Sequence, residues 1–112
     1  MSGTLVVLDA HPRPERYEWL VTEQYCRALL HVDSWGAALG AFTPLPDVLL
    51  VAGVPASDGA GIASIVRVSR SLGVRVVCDG SSAPEVLPAA VAAGATGWDG
   101  GRDSAPAVFG AA

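Results

Sequence analysis

Pro46-Asp47-Val48-Leu49-Leu50-Val51-Ala52-Gly53 and Thr4-Leu5-Val6-Val7-Leu8-Asp9-Ala10-His11-Pro12 decide the reading of this chain. Each is a short apolar run, continuous rather than alternating, that stops abruptly at small or polar residues. Such a run suits a strand buried on both faces, as the central strands of a parallel sheet are. The residues just past each run fall where an open α/β sheet presents its chemistry, at the carboxyl ends of its strands.

Outward from these two runs, short apolar segments alternate with helix-like ones, the pattern of a parallel α/β sheet. Pro14 suits the first turn of a helix. Tyr17, Leu20, Val21, Tyr25 and Ala28 continue it at i, i+3, i+4 spacing. Glu15, Glu18 and Glu23 with Arg27 behind them match the helix dipole. The spacing predicts a second strand over 29–33, then a short helix capped by Ser34 and weakened by Gly36 and Gly40. The third strand is 48–51. A loop over 53–59 leads to a helix over 60–72, with Asp58 as its candidate cap and Gly73 as its stop. Ile62, Ile65, Val66 and Val68-Ser69 form its apolar stripe, with Arg67 and Arg70 outward. A fourth strand over 74–78 follows. Ser82 and Glu85 are spaced as a capping box for a helix reaching Ala93, with Gly94 as its stop. A fifth strand over 95–98 completes the pattern.

Beyond residue 100 the chain is rich in Gly, Ala and Pro, and only Val108 and Phe109 are large and apolar. A fifth helix of normal length is not expected. The domain is therefore expected over 1–103, with 104–112 as a tail, the start of a linker or a truncated fifth helix. Loss of that helix would leave strands three to five bare on one face, which calls for a partner or a missing segment.

A chain of 112 residues, 51% apolar and 16% charged, is one compact domain. Its net charge of −4 opposes stand-alone nucleic-acid binding, which needs a basic stripe. No apolar run approaches the roughly twenty residues of a membrane span. The N-terminus lacks the basic, apolar and small-residue blocks of an export signal, so the expected location is cytoplasmic. Cys26 and Cys78 are too few and too scattered for a disulfide framework and read as reduced, buried small hydrophobes. All seven basic residues are arginine; lysine is absent. With the Ala and Gly content, this is in keeping with a GC-rich bacterial genome.

Leu8-Asp9-Ala10-His11-Pro12, the 46–51 run and Ala93-Gly94-Ala95-Thr96-Gly97-Trp98, in this order and spacing, resemble a response-regulator receiver domain over about residues 4–103. The Asp-x-His-Pro form is similar to receivers joined to LuxR-type helix-turn-helix outputs. The resemblance implies an α/β, flavodoxin-like three-layer sandwich. Its five-stranded parallel sheet has the order 2-1-3-4-5, here with the fifth helix missing or displaced. In that family an acidic pair after strand one holds magnesium and an aspartate after strand three accepts the phosphoryl group. A hydroxyl follows strand four and a lysine follows strand five. The divalent cation and the ammonium group neutralise the transferring phosphoryl group. Carried across by position, the acidic pair is Asp9 and Ala10, and the acceptor is Ala52. The hydroxyl falls at Asp79 or Gly80, with Ser81 and Ser82 just beyond, and the lysine falls near Gly101, where Arg102 is the nearest cation. Only Asp9 matches. The resemblance thus implies a degenerate phosphorylation pocket of Asp9, Ala10, Ala52, Asp79, Gly80 and Arg102, with no catalysis, no metal and no cofactor.

His11, Asp58, Ser81, Trp98 and Trp19 remain as candidate contacts for a ligand or partner. Trp19 lies off the apolar stripe of the first helix, which makes it a candidate for exposure to a partner rather than the expected case; Trp98 and Trp35 read as half-buried packing residues. Asp9, Asp58, Asp79 and Asp99 could form a residual ligand site, but short polar side chains after strands more often brace turns. Gly53, Gly59 and Gly61 are not followed by Lys-Ser/Thr, so they form no phosphate-binding loop. Asp9-x-His11 superficially resembles a cobalamin-binding motif, yet Pro14 stands where that motif has glycine. A small α/β enzyme is disfavoured because no nucleophile–base pair is visible. The expectation is a non-enzymatic regulatory and dimerisation domain of an atypical response regulator controlling transcription. It would act as a homodimer or with another protein, or answer a small-molecule ligand. DNA contact would come only through an output domain outside these residues.

Overall fold

The computed structural model describes residues 3–53 and 61–110. Five strands, β1 (Thr4–Leu8), β2 (Ala28–Val32), β3 (Val48–Val51), β4 (Arg75–Asp79) and β5 (Thr96–Trp98), form one sheet. Its order is β2-β1-β3-β4-β5 and every pairing is parallel. This is the expected three-layer α/β arrangement. The register sets Leu5 beside Val48 and Val7 beside Leu50, so matching side chains project to the same face.

Two cores follow from that alternation. Leu5, Val7, Val48, Leu50 and Val77 point into a layer completed by Tyr17, Leu20, Trp98, Val108 and Phe109. Val6, Leu8, Leu49, Val51, Val76 and Cys78 point into the opposite layer, against α2 (Trp35–Gly40), α3 (Ile62–Ser71) and α4 (Leu87–Ala93). Every residue of β3 is fully buried, which is why its run shows no polar alternation. On α3, Ile62, Ile65, Val66 and Ser69 face inward as expected, while Val68 is exposed. Cys26 and Cys78 are free and buried, and burial pushes both thiols up to about 11.

The first helix departs from expectation. A 3₁₀ turn over Pro14–Arg16 precedes a short α1 (Trp19–Thr22), and the chain then reverses well before Ala28, which opens β2. The stop is a Schellman closure: the Tyr25 amide donates to the Leu20 carbonyl at 2.8 Å and the Gln24 amide to Val21 at 3.0 Å. Gln24 sits at φ +67° to make it. Gly73 and Gly94 close α3 and α4 in the same way, from Val74 to Ser69 and from Ala95 to Ala90. Those two stops were readable because glycine signals them; a left-handed glutamine gives no such signal.

Ser34 caps α2 as expected, accepting from the Ala37 amide at 3.1 Å. The Ser82–Glu85 capping box does not form, because α4 starts at Leu87. A helix opening at residue 82 would place Pro88 in its interior, where proline removes a donor and clashes; starting at Leu87 puts it in the first turn. The expected Asp58 cap lies outside the described residues; Gly61 precedes α3.

The fifth helix is present but short, the truncated form among the alternatives expected for 104–112. A five-residue α5 (Ala105–Phe109) is present, with Pro106 in its first turn, and it buries Ala105, Val108 and Phe109. Ala105, Val108 and Phe109 thereby join the core, and the sheet face is not bare. One turn suffices because aromatic bulk supplements it. Phe109 meets Trp98 edge-on at 5.0 Å, Tyr25 lies 6.3 Å from Phe109, and Trp19 lies 6.0 Å from Trp98.

Candidate functional site

The carboxyl ends of β1, β3 and β4 bring Asp9, Ala52 and Asp79 to one edge of the sheet. Ala52 is buried directly after β3, its amide donating to the Leu8 carbonyl at 2.9 Å. Gly53 follows because the backbone passes close to Asp9: a Cβ there would lie 3.0 Å from Asp9 Oδ1. Asp9 is buried, and both its oxygens are engaged. Oδ1 accepts from the His11 amide at 3.0 Å, and Oδ2 accepts from Arg13 Nη2 at 3.2 Å.

Asp79 is fully buried and more heavily bound. Its Oδ1 accepts from the Ser81 amide at 2.9 Å and the Ser81 hydroxyl at 2.6 Å. Its Oδ2 accepts from the Tyr17 hydroxyl at 2.6 Å, with Ser82 Oγ at 3.2 Å and Arg16 Nε at 3.8 Å. Arg16 Nη2 also donates to Ser81 Oγ at 2.8 Å, closing a ring around the carboxylate. Burial pushes the Asp79 carboxyl up, but the donors from Ser81, Tyr17 and Ser82 outweigh it and hold the carboxyl below its ordinary range. Burial, reinforced by the bond to Asp79, pushes the Tyr17 phenol up to about 12. Gly100, at φ +80°, passes so close that a Cβ would fall 2.9 Å from Asp79 Oδ1.

Asp9, Asp79 and Asp99 share a local form, each accepting from the amide two residues on. They brace turns, as their residue type favours after strands. Asp99 also accepts from Ser104, and this bond with that from Gly101 lowers its carboxyl pKa. Among the described residues no three His, Cys, Asp or Glu side chains gather to hold a metal ion.

The remaining candidates scatter. His11 is exposed, and Ala10 and Gly80 are partly buried. Asp58 lies outside the described residues. Arg102 turns away from Asp9 and Asp79; it pairs with Glu23 at 3.4 Å and stacks over Trp19 at 5.1 Å. Trp19 is not a free side chain. It is half-buried among Tyr25 and Trp98, with its Nε1 donating to the Arg16 carbonyl. Trp98 is buried rather than half-buried, and its Nε1 donates to the Gly101 carbonyl. Ser81 and Trp98 meet in a groove of about 550 Å³ between α4 and α5, with Leu87, Gly97, Asp99 and Val108.

Sequence reasoning missed Arg13, Arg16 and Tyr17. Asp9 and Arg13 stand four residues apart, a spacing that could have suggested a pair. Arg16 and Tyr17 meet Asp79 across more than sixty positions, which no local pattern carries.

The fold implies magnesium near Asp9, and the residues do not fit it. Magnesium demands several oxygen ligands in near-octahedral geometry. Here one carboxylate stands beside Ala10 and Ala52, and both its oxygens already accept from N–H donors.

No protein-family model and no curated protein matches the sequence. Among solved structures, the chain is similar to the signal receiver domain of NarL, described as a response regulator, from Mycobacterium tuberculosis. The TM-score is 0.63 at 28% identity, over 86% of this chain and 81% of that one. With the sheet order, this likeness supports a response-regulator receiver domain.

Proposed function

From a receiver-domain fold, we propose a non-catalytic regulatory domain of an atypical response regulator, one that signals without aspartyl phosphorylation. The observation that carries the reading is Ala52. It follows β3, where the family resemblance puts the phosphoryl acceptor, and its methyl group has no oxygen to phosphorylate. The lysine-free composition agrees, since no ammonium is available to neutralise a phosphoryl group. Incubation with a small-molecule phosphodonor and magnesium, followed by intact-mass measurement, is expected to return the unmodified mass. An added phosphoryl group on an aspartate would overturn the reading.

Regulation then runs through association. The groove beside α4 and α5, with Val91 exposed nearby, is the apolar surface offered to a second copy or another protein. Transcriptional control would require a DNA-binding output domain, since this domain is acidic. No described helix is long and apolar enough to cross a membrane, in keeping with a cytoplasmic role. Light scattering on the purified chain is expected to give a concentration-dependent dimer, and a monomer at every concentration would remove dimerisation from the proposal.

A further inference from the structure

We infer that Arg13 and Arg16 act as resident cations of this pocket, shutting it to divalent metal and fastening the β1–α1 connection across it. This deepens the reading of a phosphorylation-independent domain and rests on it.

Both arginines come from the segment between β1 and α1, and each meets a buried carboxylate at the end of a different strand. Arg13 donates to Asp9 after β1, and Arg16 reaches Asp79 at the end of β4 both directly and through Ser81. A carboxylate removed from water needs a counter-charge or a full set of donors. In a metal-binding receiver the cation supplies that charge from solution. Here the chain supplies it covalently, at a high and constant effective concentration. Tyr17 adds a third anchor from the same segment, at 2.6 Å from Asp79. A metal approaching Asp9 would meet oxygens already accepting from the His11 amide and from the Arg13 cation, with no second acid beside them.

The test restores the missing acid with and without the arginine. Ala10→Asp and the double variant A10D/R13Q are titrated with Mn²⁺ as a magnesium surrogate, reading free Mn²⁺ by electron paramagnetic resonance. The double variant is expected to bind at least about tenfold more tightly than A10D alone, the equivalent of about 1.4 kcal/mol. Equal affinity in the two, or no binding by either, overturns the inference. A second measurement needs no variant. In the unmodified protein, Mn²⁺ is expected to leave the amide resonances of His11 and Ser81 unbroadened, whereas selective broadening of either overturns it. Phosphorylation of the unmodified chain would instead sink the functional reading, and the mass measurement reports that separately.

Discussion

Asp79 is the residue on which the pocket turns. It is fully buried yet charged, because Tyr17, Ser81 and Ser82 supply donors and Arg16 supplies a counter-charge. Replacing one partner of a buried charged network leaves the others unpaired. Asp79→Asn is expected to cost about 2–3 kcal/mol near neutral pH by urea unfolding. Folding lowers the Asp79 pKa, so its stabilisation is complete above the ordinary carboxylate range near 4. It is lost as pH falls through the lower folded value. Folding raises the Tyr17 pKa, so that contribution is complete below 10.0 and is lost as pH rises towards about 12. Urea midpoints across pH should therefore show a plateau between these limits, with the acid arm flattened in Asp79→Asn and the alkaline arm flattened in Tyr17→Phe. An acid arm unchanged in Asp79→Asn would count against the network.

At the scale of elements, the helix stops tell most. Gly73 and Gly94 hold left-handed positions that glycine adopts without a Cβ penalty, and both stops were legible in the sequence. Gln24 holds the same conformation at φ +67° and cuts the first helix to one turn, where apolar spacing alone would have continued it. A non-glycine residue in this region is strained by about 1 kcal/mol. Gln24→Gly is thus expected to raise stability by about 0.5–1 kcal/mol, part of the relief being offset by the greater freedom of an unfolded glycine. Thermal unfolding checks this, and a lower midpoint would mean that Gln24 has a packing role the closure does not reveal. The short α1 matters for the site: Arg13, Arg16 and Tyr17 lie before it, in the segment that crosses the pocket.

At the scale of the molecule, two thin helices and an aromatic cluster do what longer helices would do. Phe109 is fully buried and closes the layer that Trp19, Tyr25 and Trp98 line. Phe109→Ala is expected to cost about 3–5 kcal/mol, a large share of the 5–15 kcal/mol typical of a domain. Denaturant titration with tryptophan fluorescence measures it. A loss below about 1 kcal/mol would mean that α5 is not part of the cooperative core.

The sheet was legible from its residues because burial on both faces leaves a local mark, an unbroken apolar run at 48–51 and again at 5–8. The alanine that follows the third strand was legible in the same way. What surrounds that alanine was not. Arg16 and Tyr17 reach Asp79 only because β1, β3 and β4 align their carboxyl ends and the β1–α1 segment folds over them. The short α5 could cover its face only because Trp19, Tyr25 and Trp98 converge from distant positions. Runs and turns are properties of neighbours along the chain and were determined by the sequence itself. The counter-charges of a buried carboxylate and the bulk of a core layer are set by neighbours in space, and only the tertiary structure decided them.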